Sequence, residues 1–79
     1  MRVLYLATSG SADPTLASIP LHVAVNGSAA IGQEASIVLL GDATELALPD
    51  IADTIEGVGL PPVRELLQKV REQQIPVAI

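Results

Sequence analysis

Three short apolar runs, separated by helix-like stretches, constrain this chain more than any other feature. Arg2-Val3-Leu4-Tyr5-Leu6-Ala7-Thr8, Glu34 to Leu40 and Ile75-Pro76-Val77-Ala78-Ile79 each have the length and the aliphatic, β-branched content of a strand. Strands that alternate with helical patterns point to βαβ units and a parallel sheet. The first run is almost continuously apolar, as strands buried on both faces are, so it is expected to be the central strand. The expected fold is a single α/β domain over residues 1–79, a three-layer βαβαβ unit with strand order 2-1-3 and helices on both faces of the sheet.

Ser9-Gly10-Ser11-Ala12-Asp13-Pro14 has loop composition, and Asp13 before Pro14 predicts a helix entered by an Asp N-cap with Pro at N1. That helix is expected to run to about Gly32, which is placed to terminate it. Pro20 lies inside the span and removes a backbone donor, so the regular part is expected to begin nearer Ile19. Leu16, Ile19, Val23 and Ala30 form one apolar stripe along it, and Leu21, Val25 and Ala29 form a second. A helix covering a sheet in a monomer needs one stripe, so the second predicts contact with another subunit.

Ala43 to Leu48 suggests a short helical segment before Pro49, with Asp42 as its expected cap. Gly57-Val58-Gly59-Leu60-Pro61-Pro62 then makes a stiff connection into the clearest helix of the chain. There Val63, Leu66, Leu67 and Val70 follow i, i+3, i+4, i+7, opposite Arg64, Glu65, Gln68, Lys69 and Glu72. Glu65 and Lys69 are spaced as an i,i+4 ion pair on a solvated face.

Composition narrows the function classes. With 79 residues one core is marginal, and the absence of Cys excludes disulfides as a staple. His22 is the single histidine, without a cluster that would make a metal site. Hydrophobic residues make up 49% of the chain, more than so small an interior hides, which leaves oligomerisation as the expected staple. A net charge of −5 with four basic residues lacks the footprint of a nucleic-acid partner, and one Tyr with no Phe or Trp offers no stacking platform. Pro14 to Gln33 carries no charge, but Pro20, His22, Asn26, Gly27, Ser28 and Gly32 disqualify it as a membrane span. Without a secretory h-region after Met1-Arg2, the expected compartment is the cytoplasm.

In open α/β sheets ligands collect beyond the carboxyl ends of the strands. The candidate ligand-binding residues are therefore Thr8, Ser9, Gly10 and Ser11 after the first strand and Asp42 after the second. Ser9 to Ser11 are placed to offer N–H groups and hydroxyls to an anion at a helix N-terminus, although ordinary turn chemistry explains the same residues. Asp13 reads as a cap rather than a catalytic acid. Gly57-Val58-Gly59 fails as a dinucleotide fingerprint because Pro62 stands where the third glycine belongs, and no P-loop ending is present. His22 has no nucleophile around it and reads as a helix or interface histidine. No cofactor or catalytic residue is expected.

Several landmarks together resemble the DsrE/DsrF-like sulfur-relay family. These are Ser11-Ala12-Asp13-Pro14-Thr15 after a short first strand, Ile19-Pro20-Leu21 in an apolar helix, and Val38-Leu39-Leu40-Gly41-Asp42-Ala43 closing the second strand. The Gly-x-Gly-x-Pro-Pro connection and the return strand Ile75-Pro76-Val77-Ala78-Ile79 are similar too. The resemblance implies sulfur trafficking, assembly as a trimer or hexamer, and a sulfur-carrier protein as partner. In that family a cysteine typically follows the strand matching Pro76 to Ile79. This chain has no Cys, so the expectation is a domain that lacks the reactive loop and is inactive by itself. The alternatives are a non-enzymatic oligomeric scaffold or small-anion-binding module, and a resemblance to nucleotide-binding stress proteins without their later glycine-rich phosphate motif.

Overall fold

A computed structural model describes residues 2–79. The element order is β1 (Arg2–Ala7), α1 (Pro14–Val23), β2 (Glu34–Leu39), α2 (Pro49–Ala52), α3 (Val63–Glu72) and β3 (Val77–Ala78). All three strands run parallel, with Tyr5, Ile37 and Val77 in register across the sheet. The α/β class and the parallel sheet are as the sequence predicts.

The strand order is not. β2 lies in the centre and the order is β1-β2-β3, rather than 2-1-3. The return strand joins β2, with the Ile37 N–H bonded to the Pro76 carbonyl at 2.9 Å, and of the predicted run Ile75 to Ile79 only Val77 and Ala78 are strand. β1 is thus an edge strand. This single change also alters the number of layers. Crossovers have one preferred hand, so two successive crossovers in the same direction carry their helices to the same face of the sheet. α1 and α3 accordingly pack against each other, and the fold has two layers instead of three.

The sheet therefore has unlike faces. Ala35, Ile37 and Leu39 of β2 point into a core shared with Ala17 and Leu21 of α1 and with Val63, Leu66 and Val70 of α3. On the reverse face Leu4 and Leu6 are 60% and 58% exposed, and Leu40 is also exposed. By register Leu4 lies beside Ser36, and Leu6 beside Val38, which is followed by Ala78. Arg2 and Glu34 close one end of this face with an exposed ion pair at 3.2 Å.

The first helix starts where its cap is, at Pro14, and not near Ile19. Asp13 accepts a hydrogen bond from the Leu16 N–H at 3.1 Å, and Pro14 takes N1, where no donor is needed. Pro20 is accommodated inside the helix. The irregularity comes later: Ala24–Ser28 is a π-helical turn, Ala29–Ile31 a 3-10 turn, and Gly32 ends the segment at φ +77°. Leu21 and Val25 are buried, whereas Leu16, Ile19 and Val23 form the outward stripe. The wide turn also orients Ser28, whose buried hydroxyl pairs with the Tyr5 hydroxyl of β1.

After β2 the backbone forms a 3-10 segment, Gly41–Ala47, before α2. The connection from α2 to α3 is pinned onto α1: Val58 N–H donates to Thr15 Oγ1 at 3.0 Å. A Cβ at Gly57 would lie 3.0 Å from the Thr15 Cα, a tight backbone contact that any larger residue would have to relieve by shifting the connection away from α1. On α3 the expected Glu65–Lys69 pair is absent among the described residues. Lys69 Nζ instead reaches Asn26 Oδ1 of the π turn at 3.4 Å, and Gln68 bonds Glu72.

Candidate functional site

The carboxyl edge of the sheet carries the predicted site. β1 ends at Ala7 and β2 at Leu39, and the Leu40 N–H bonds the Ala7 carbonyl at 2.9 Å, so the two loops leave the sheet side by side. Gly10 is buried against the second loop, so closely that a Cβ there would overlap the Asp42 backbone oxygen and Glu45 Oε1. A side chain of any other kind would push the loops apart.

Of the predicted residues, the structure brings together Gly10, Ser11 and Asp42. Asp42 contributes its backbone carbonyl; it makes no side-chain cap for the segment that follows, whose N-cap is Leu40. Thr8 is exposed and Ser9 half-buried on the approach to the turn.

The sequence did not flag Glu45. Its carboxylate accepts from the Ser11 N–H at 3.2 Å and from the Ser11 hydroxyl at 2.9 Å. A second internal carboxylate, that of Asp13, takes the Leu16 N–H. Of the donors expected to cradle an anion, both of those on Ser11 are thus engaged by Glu45, and the Leu16 N–H of α1 is held by Asp13. A phosphate or carboxylate entering here would have to displace Glu45 and approach Asp13 without a basic side chain to offset either charge. Nothing local to Glu45 signals this role, because its partner lies 34 positions away. The strand order removes a further reason to expect a ligand here, since a crevice opens where strand order reverses and this order never does.

His22 is half-buried on α1, with Nδ1 at 3.2 Å from Asn26 Nδ2, away from the strand ends. Among the described residues no group of three or more His, Cys, Asp or Glu is arranged to hold a metal ion, and no helix is long and apolar enough to cross a membrane.

Two other surfaces stand out. One is the uncovered sheet face with the outward stripe of α1 on the opposite side of the molecule. The other is a groove between β3 and the α2–α3 layer. Comparison with protein-family models, with curated proteins and with solved structures finds no match to this chain.

Proposed function

We propose that this chain is a non-enzymatic assembly module, in which the outward stripe of α1 on one copy lies on the bare sheet face of the next. The observation that carries this reading is the exposure of Leu4, Leu6 and Leu40 on one face of a parallel sheet. Sheets of this kind are almost always covered on both faces, usually by helices. The molecule itself presents a helix of the required character: Leu16, Ile19 and Val23 line up over about 10 Å of α1 with no charged residue between them. Stacking the two surfaces supplies the missing layer. Because the surfaces differ, the contact is heterologous and either closes into a ring or extends. The trimer or hexamer implied by the DsrE/DsrF-like resemblance is the closed outcome.

Sedimentation at micromolar concentration tests this. The expected result is a species several times the 8.2 kDa chain mass, more complete at higher salt because each copy carries −5. Leu6→Lys and Ile19→Lys should each give folded monomers. Mixed together, they should form a one-to-one dimer, since each retains the surface the other has lost. A folded 8.2 kDa wild-type monomer at 100 µM, a test condition on the order of the concentrations at which such association is read, would sink the proposal.

Sulfur relay is the second reading, favoured by the side-by-side loops after β1 and β2 together with the family-like landmarks. A relay step would need a thiol from a sulfur-carrier partner, since neither Ser11 nor Asp42 replaces one. Glu45 beside Ser11 would oppose ionisation of a thiol brought to this edge. The chain should gain no mass when incubated with a persulfide donor. A sulfur adduct on these residues would refute the scaffold reading.

A further inference from the structure

Beside β3 the helical layer and the sheet enclose a groove of about 540 Å³. Its walls are Leu39 of β2, Leu46, Leu67 and Val70 from the helical side, and Val77 and Ile79 along the last strand. That volume falls in the range of pockets for small ligands, roughly 300–1,000 Å³. The rim is charged in a way the rest of the chain is not. Two of the four basic residues, Arg64 and Arg71, line it, against one of the nine acidic residues, Asp53. Among the described residues neither guanidinium has an ion-pair or hydrogen-bond partner. They stand seven positions apart on α3, about 10 Å along the axis, so both face the same side of the helix.

We infer that this groove binds a small amphipathic anion, with an aliphatic chain against Leu46, Val70 and Val77 and an acidic head on Arg64 or Arg71. Apolar walls with a few placed polar groups are the usual make-up of such sites. Charge selects the ligand: in a chain of net charge −5, an exposed pair of arginines at an apolar mouth favours an anionic head over a neutral or cationic one. Guanidinium groups suit a carboxylate because they present two parallel donors to its two oxygens. The groove meets the second carboxyl-edge loop at Leu46, but Ser11, Asp13 and Glu45, whose donors and carboxylates pair with the chain itself, do not line it.

The probe is dodecanoate below its micelle-forming concentration, with dodecan-1-ol and dodecyltrimethylammonium as neutral and cationic counterparts, followed by calorimetry and by methyl shifts. Dodecanoate should bind at least ten times more tightly than either counterpart and move the Leu46, Val70 and Val77 methyls. Arg64→Gln with Arg71→Gln should weaken dodecanoate at least tenfold and leave dodecan-1-ol unchanged. Both side chains are exposed, and a wild-type circular-dichroism spectrum confirms that the variant is folded. The same binding in Leu6→Lys separates this inference from the assembly proposal. Equal binding of all three probes, shifts confined to Leu4 and Leu6, or no binding at millimolar dodecanoate would overturn it. So would the same methyl shifts appearing on concentration of the protein alone, which would mean that a second copy fills the groove.

Discussion

The two faces of the sheet share strands but differ in what lies on them. On one, Ile37 and Leu39 are buried in a core shared with two helices; on the other, Leu4 and Leu6 are more than half exposed. The sequence is nearly as apolar on both sides. Hydrophobic pattern thus records what a strand needs covered, whereas the direction of the crossovers decides whether the same chain does the covering.

The sharpest way to break this contrast is a truncation on the covered side. Leu66→Ala on the covered side removes a fully buried side chain and should cost about 2–5 kcal/mol, read as a lower midpoint in urea. Measured on monomeric Leu6→Lys, so that association does not contribute, a smaller loss would mean that the helical layer is packed more loosely than its burial indicates.

Gly10→Ala probes the edge where the faces meet the loops. Its Cβ would strike the Asp42 backbone oxygen, which cannot step aside as a side-chain end can, so a loss of about 1–3 kcal/mol is expected. Glu45→Ala in the same background, which removes the clashing carboxylate, should recover little of it, and full recovery would mean that the Glu45 side chain alone sets the constraint. Asp13→Ala removes the cap of α1 and should cost about 0.5–2 kcal/mol, with Asp13→Asn recovering most of it. Equal damage from both would show that charge, rather than the hydrogen bond, is what Asp13 supplies.

Leu4→Ser should have the smallest effect on folding. On the bare face it should change monomer stability by no more than about 0.5 kcal/mol, yet weaken self-association in sedimentation. A large stability loss without any change in mass would place Leu4 in the core of a single copy and end the distinction between the faces.

Local chemistry was legible from the residues. Asp13-Pro14 marks the true start of α1, Gly32 the end of the π and 3-10 turns that continue it past Val23, and the spacing of Val63, Leu66 and Val70 the buried side of α3. What the sequence misplaced is non-local. Whether the last strand joins β1 or β2 depends on a ladder of only two residues, and neither choice leaves a mark on the apolar pattern. The site suffered in the same way. Ser11 of the Ser9-Gly10-Ser11 stretch does donate, but its partner, Glu45, comes from a remote segment with no motif of its own. The Glu65–Lys69 pair failed because Lys69 has an alternative in Asn26, exposed by the π turn.

The central place of β2 has a consequence for amide exchange. Among the described residues it is the strand with neighbours on both sides, with β1 paired along its whole length and β3 at only two positions. Opening of β3 frees a short ladder and little buried area, so it should occur without unfolding the rest. The Ile37 amide, bonded to Pro76, should therefore exchange at the rate of that local opening, while the Leu40 amide, bonded to Ala7, waits for β1 and β2 to separate. Adjacent stretches of one strand would then report two different stabilities.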